Sequence, residues 1–314
     1  EGSPRLAELL AKAAVTSGAS SVKYQLVIAD ELAVPTYEYY GLFASLQMEE
    51  VTWSNLVIYF KENNLSVYFD IYGELSLELA KKLNADGVKI STADTYNTEL
   101  IIKAVEEFDK VFFSVGGVPT EDIERLLTIA GNKTQVTLMY GYQSEPTPIK
   151  ENNLLKIKSL ISKFPDTSIG FMDHSDGSTE EAFYLPMMAL ALGVNVIEKH
   201  ITLDRELEIE DFISALVPSE FKKFVMAIET MTPALGIESL ELSDAEREYK
   251  NRSGKVVVLK KDTDAGIKLQ SEDLSLKRVA VDGSPGCFRK KEDVIGATLK
   301  YAGKENMPIM ANDL

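Results

Sequence analysis

Short apolar runs alternate with stretches of helical periodicity from residue 4 to about residue 235. The first periodic stretch, 4–17, predicts a helix with Ser3 as N-cap, Pro4 at the first helical position and Gly18 as the stop. SSVKYQL at 20–26 predicts a buried strand. Further strands are predicted at 66–72, 86–90, 111–117, 135–139, 168–172 and 193–199. The intervening helices fall near 52–63, 74–83, 97–107, 120–130, 151–163 and 179–192, with a last one at 218–235. Apolar strands that alternate with helices belong to a parallel sheet covered on its faces. Seven strand–helix pairs preceded by an unpaired helix predict a (β/α)8 TIM barrel lacking its first strand in this chain. A doubly wound open sheet is the alternative, but no Gly-rich dinucleotide fingerprint follows any strand.

The pattern changes after residue 238. ESLELSDAEREYKNRS is polar and predicts a connector with a short helix. Short β-like pieces with Gly turns follow, from KVVVLKK to the end. The expected organisation is a barrel at 1–238, a linker at 239–252 and a small β-rich domain at 253–314.

Composition narrows the function. Thirty-three basic against forty-nine acidic side chains give a formal net charge of −16. That disfavours a nucleic-acid binder or a polybasic membrane patch. The single cysteine, Cys287, rules out an internal disulfide and a thiolate zinc site. No apolar run approaches a membrane span, and the start has no signal-peptide pattern, so a cytoplasmic protein is expected. Asn251-Arg252-Ser253 matches a glycosylation acceptor, which chance explains when nothing indicates secretion.

Active sites of such barrels lie at the C-terminal ends of the strands. That rule selects Lys23, Asp70, Lys89, Ser114, Tyr140, Tyr142, Asp173, His174, Lys199 and His200. Both histidines of the chain fall on adjacent strands at one end. Two converging imidazoles suit a divalent metal such as manganese, iron(II), cobalt or zinc; a hydrogen-bonded structural pair is the alternative. A lysine inside an apolar strand needs an anion. Lys23 and Lys89 either receive a substrate carboxylate or phosphate, or pair with carboxylates such as Asp70 or Asp94. Ser114, with Gly116 and Gly117 after it, offers a hydroxyl and backbone N–H groups to an oxyanion. Cys287 lies in a Gly- and Pro-rich loop with no histidine near it in sequence, so a structural thiol is expected.

At these residues the chain resembles the sialic acid synthase family. VIEKHITLD at 196–204 is similar to the family's I-E-K-H-F-T-L-D, and IGFMDHSDG at 169–177 to its V-G-Y-S-D-H-T-x-G. VKYQ at 22–25, VKIST at 88–92 and FFSVGGVPTEDIE at 112–124 resemble further family segments. The stretch from Lys250 to Arg278 resembles the start of the family's antifreeze-like (SAF) domain. The resemblance implies a condensation of phosphoenolpyruvate with an amino-sugar aldehyde, giving a 2-keto-3-deoxy sugar acid and phosphate. It implies His174 and His200 as metal ligands, with manganese first and magnesium or cobalt as alternatives. It also implies that Lys23, Lys89 and Ser114 hold phosphoenolpyruvate. Asp211 and Arg278 would contact the sugar, and Lys23, Lys89 and Asp211 would form the catalytic set. In the family that arginine reaches the sugar across a domain-swapped homodimer.

The chain also departs from the family pattern. A family serine is Met172 here and a family threonine is Asp70. The family's L-H-C-T-S-N-Y-P run reads MYGYQSEP, which puts Tyr140 at its histidine and Ser144 at its asparagine. Phe212 and Ala215 replace a histidine and a serine after Asp211. A family glutamate lies on the first strand, the one this sequence is expected to be without. Met172 removes a hydroxyl donor, and Asp70 would repel a phosphate unless protonated or paired. Two other readings therefore stand beside the synthase. One is a metal-dependent aldolase or lyase that does not use phosphoenolpyruvate; the other is a non-catalytic homologue that binds a sugar acid or a protein partner.

Overall fold

The computed structural model describes residues 2–280 and 286–314 and divides into two units, Glu1–Gly236 and Ile237–Leu314. In the first unit, α1 (Pro4–Thr16) starts where Ser3 caps the Leu6 N–H, with Pro4 in the first turn. Then come β1 (Ser21–Gln25), α2 (Ala29–Leu32), α3 (Tyr40–Leu46), α4 (Glu50–Glu62), β2 (Ser66–Ile71), α5 (Glu74–Lys82) and β3 (Gly87–Ile90). The alternation continues with α6 (Thr98–Glu107), β4 (Lys110–Ser114), α7 (Thr120–Ala130), β5 (Gln135–Tyr140), α8 (Leu155–Lys163) and β6 (Ser168–Asp173). It ends with α9 (Glu181–Ala191), β7 (Val196–Ile201), β8 (Ala215–Leu216) and α10 (Pro218–Met231).

The eight strands are parallel and hydrogen-bonded in chain order, β1 to β8. Seven of them answer to the seven predicted runs. β8 was not predicted, because two residues carry no periodicity. The last long strand starts and ends later than the expected 193–199, at Val196–Ile201, with His200 next to its end. The sheet curls until its two sides face each other: Lys23 on β1 lies 3.6 Å from Glu198 on β7. No strand pairs β1 with β7 or β8 among the described residues, so the curled sheet stays open between them. A cavity of about 930 Å³ opens there, lined by Lys23, Lys89, Glu198, His200 and Asp211 among others.

Strand alternation sorts the side chains onto two faces. The outward set, including Phe69, Ile71, Val88, Ile90, Phe113, Leu138 and Phe171, packs against the helices as one core. Burying such a side chain contributes roughly 1.5–3 kcal/mol. The inward set is different: Phe112, Met139 and Met172 form a small apolar cluster with Tyr68 and Val196. Charged residues share that inward face.

The second unit contains α11 (Asp244–Ser253), which Ser243 and Glu246 cap reciprocally. An antiparallel pair follows, β9 (Val256–Leu259) with β10 (Leu274–Lys277), around a core of Val257, Leu259, Leu269, Leu274, Val294, Leu299 and Ile309. Residues 281–285, which include Gly283 and Pro285 of the Gly- and Pro-rich loop ahead of Cys287, lie outside the described residues. Among the described residues no helix is long and apolar enough to cross a membrane.

The ends of β4, β5 and β6 approach so closely that side chains are excluded. A Cβ on Gly116 would lie 1.9 Å from the Gly141 carbonyl oxygen, and one on Gly141 would lie 2.2 Å from that of Met172. Backbone oxygens cannot swing aside, so Gly141→Ala must displace strand ends that carry Ser114 and His174. We expect it to destabilise the chain by about 2–3 kcal/mol in urea unfolding; an unchanged midpoint would contradict this packing.

Candidate active site on the inward face of the barrel

Parallel register places Asp70 on β2 beside Lys89 on β3, and Gln25 on β1 beside Asp70. Lys23, two residues before Gln25, points the same way and donates to Asp70 Oδ2. Lys89 donates to both Glu198 oxygens, at 2.8 and 3.0 Å, and lies 4.0 Å from Asp70 Oδ1. Two ammonium groups and two carboxylates thus form one charge-balanced tetrad. Burial opposes the charge on Lys23, but Asp70 and Glu198 outweigh it and hold the ammonium above its usual range. Burial likewise opposes ionisation of Glu198, and Lys23 and Lys89 overcome it and hold the carboxyl below its usual range. Of the two carboxylates suggested as lysine partners, Asp70 is one; Asp94 is not, and accepts instead from Asn97 Nδ2 at 3.1 Å.

The histidines stand further along the same face. His200 is on β7, two residues beyond Glu198, and His174 follows β6 directly. Their ring centroids are 5.0 Å apart. The His174 carbonyl accepts from Thr147 N and Ser214 Oγ, both at 2.8 Å, which fixes the residue from two sides. His174 Nδ1 and His200 Nε2 are buried with no hydrogen-bond partner in the protein. Such orphaned nitrogens are costly unless a ligand or ion meets them. Burial and the neighbouring His200 push His174 down to about 4, and burial also lowers His200. Both rings are therefore neutral at pH 7, the form that ligates metals.

Asp211 lies 3.5 Å from His200 Nδ1, and its backbone adopts a left-handed conformation at φ 64°. Glu145, on the loop after β5, is the unexpected member. A ligand atom from each of Glu145, His174 and His200 lies within 4.8 Å of the others. Burial and the Asp211 carboxyl push Glu145 up to about 8. Two nitrogens and an oxygen fit a divalent first-row metal, and the orphaned imidazole atoms are the structural reason to expect one.

Ser114 ends β4 on the inward face, and its hydroxyl is 3.8 Å from Met172 Sδ. Three residues selected by their place near strand ends face elsewhere. Tyr140 packs in the outer core, with its hydroxyl donating to the Asn152 carbonyl at 3.0 Å. Lys199 and Asp173 alternate away from His200 and Met172 and form a buried pair at 2.7 Å. Tyr142 is half exposed after β5. In the second unit, the exposed Arg278 donates from Nε to the Ser253 carbonyl at 3.0 Å. Burial raises the Cys287 thiol above its usual range, the opposite of an activated nucleophile.

Sequence reasoning missed Glu198 and Glu145 as site residues. Glu198 carried a signal, since it shares the strand face of His200 at a spacing of two. Glu145 carried none, being an irregular loop position.

The chain combines a parallel eight-stranded sheet, with a polar, histidine-bearing inward face, and a second unit built on an antiparallel pair. The model of the NeuB family matches residues 10–239 and that of the SAF domain residues 254–314. The chain belongs to the NeuB family. It is 27% identical over 297 residues to an N,N'-diacetyllegionaminic acid synthase of Campylobacter jejuni, covering 89% of this chain and 87% of that protein. It is 26% identical to an N-acetylneuraminate-9-phosphate synthase of Drosophila melanogaster, over 86% of this chain and 77% of that one. Among solved structures, the N-acetylneuraminic acid synthetase of Leptospira borgpetersenii, crystallised with citrate, superposes with a TM-score of 0.74 at 27% identity, covering 80% and 87% of the two chains.

Together with Asp70, Glu198 keeps two lysines on this face tolerable. Its depressed folded-state pKa means that its contribution is present above its unfolded value of about 4.3 and is lost as the pH falls through the lower folded value. We expect Glu198→Gln to cost about 3 kcal/mol at pH 7 in urea unfolding and to flatten the loss of stability below pH ~4. Equal stability at pH 7 would show that the tetrad does not hold the face together.

Proposed function

We propose that this protein is a metal-assisted nonulosonic acid synthase that condenses phosphoenolpyruvate with an amino-sugar aldehyde. The observation that carries this reading is the meeting of two neutral, orphaned imidazoles with a lysine pair on one face of a NeuB-family barrel. His174, His200 and Glu145 would hold the metal, which supplies Lewis-acid polarisation of the aldehyde oxygen when bound. Manganese suits this mixed donor set, as do cobalt and, with fewer nitrogens, magnesium.

Lys23 and Lys89 would hold the donor's anionic groups, and Ser114 would donate to a phosphate oxygen. Asp211 would accept from a sugar hydroxyl beside His200. With both reactants held in line, C3 of the enol attacks the aldehyde carbon and forms the C–C bond. Water adds to C2 and loses a proton; the C2–O bond to phosphate then breaks, leaving a 2-keto group and free phosphate. The SAF domain, expected at 253–314 after a linker at 239–252, carries Arg278. The resemblance assigns that arginine to the sugar site of a second copy, and so a domain-swapped homodimer working in the cytoplasm.

One observation favours a second reading. Asp70 occupies the lysine pair and Met172 faces the Ser114 hydroxyl, which suits an aldolase or lyase whose donor carries no phosphate. Phosphate release separates the two. Purified protein mixed with phosphoenolpyruvate, manganese and a panel of amino-sugar aldehydes should release one phosphate per sugar acid formed. His174→Ala and His200→Ala should each lower the rate by at least about a hundredfold, as the loss of several kcal/mol of charge stabilisation implies. No phosphate with any aldehyde would refute the synthase reading.

A further inference from the structure

Asp70 supplies one of the tetrad's two carboxylates. This carboxylate bonds Lys23 through Oδ2 and faces Lys89 at 4.0 Å through Oδ1. It therefore stands between the two cations that an anionic donor would need. Lys89 and Asp70 have side chains 4% and 8% exposed, so water screens little of this field. Asp70 Oδ1 is itself buried and accepts no hydrogen bond within the protein. A phosphate dianion offers only acceptors, so it would place acceptor against acceptor and charge against like charge. A hydroxyl at this position, the group carried by the family threonine, would instead donate.

The neighbouring side chains do not compensate. Met172 stands where the resemblance has a serine, and it is buried with Phe112 and Met139. Ser114 Oγ contacts only the Met172 sulfur among the hydrogen bonds of the described residues. The lysines are thus already neutralised, and the surroundings have gained sulfur and carbon where a phosphate wants N–H and O–H donors.

We infer that Asp70 is a specificity-determining residue: an internal carboxylate that competes for Lys23 and Lys89 and weakens binding of a phosphate-bearing carboxylate donor more than that of a donor with a carboxylate alone. The inference rests on the reading that these lysines receive the donor.

Calorimetric titration of the full chain with phosphoenolpyruvate, and with pyruvate as the monoanionic probe, tests it. Asp70→Asn keeps the volume, removes the charge and adds a donor. It should bind phosphoenolpyruvate at least about tenfold more tightly than the unaltered chain, with a smaller gain for pyruvate. Asp70→Thr should move affinity the same way. Equal or weaker phosphoenolpyruvate binding by a folded Asp70→Asn or Asp70→Thr overturns the inference, as does an equal gain for pyruvate. A low-micromolar dissociation constant for phosphoenolpyruvate in the unaltered chain overturns it with no variant at all. Phosphate release by the same samples keeps the two claims apart. Tighter binding without turnover upholds the role of Asp70 and sinks the synthase reading. Turnover in the unaltered chain with no gain on substitution does the reverse.

Discussion

A lysine at the centre of a parallel sheet costs several kcal/mol unless a carboxylate meets it, and this sheet carries two lysines on its inward face. Lys23 and Lys89 are met by Asp70 and Glu198 from neighbouring strands and from across the curl. The arrangement works because a parallel register aligns Asp70 with Lys89 directly, and because curling carries β7 round to face β1 and β3. The outward face needs no such device, since the helices cover it with aliphatic and aromatic side chains. One face thus supplies most of the cohesion, and the other can stay polar.

Polarity kept in this way sets the local chemistry. Two residues beyond Glu198 on the same strand comes His200, and on the adjacent strand end comes His174, each with a buried nitrogen lacking a protein partner. Burial keeps both rings neutral. The carboxyls of Glu145 and Asp211 approach from loops rather than strands, so the histidine end of the face combines imidazoles held by strand ends with carboxylate oxygens carried on loops. The chain belongs to the NeuB family, and the relatives it resembles are N-acetylneuraminate-9-phosphate, legionaminic and pseudaminic acid synthases.

Much of the barrel was legible because its strands are apolar runs of ordinary length bounded by helices. β8 was not, since Ala215 and Leu216 alone have no pattern. The list drawn from strand ends was right about position and blind to facing. Tyr140, Asp173 and Lys199 sit near the expected ends yet alternate outward, which parity along each strand would have sorted once one inward residue was fixed. The same parity finds Glu198 from His200. Nothing in periodicity finds Glu145, because a loop places it. The lysine question had two answers in the sequence, substrate anion or internal carboxylate, and the fold shows Asp70 and Glu198 taking both lysines.

On the proposed reading, the inward histidines form a metal centre beside a lysine-bearing donor site. Anomalous diffraction from crystals soaked in manganese tests it most directly. A peak is expected at bonding distance from one nitrogen each of His174 and His200, within reach of the Glu145 carboxylate. A peak elsewhere, or none at the two histidines at saturating manganese, would contradict it.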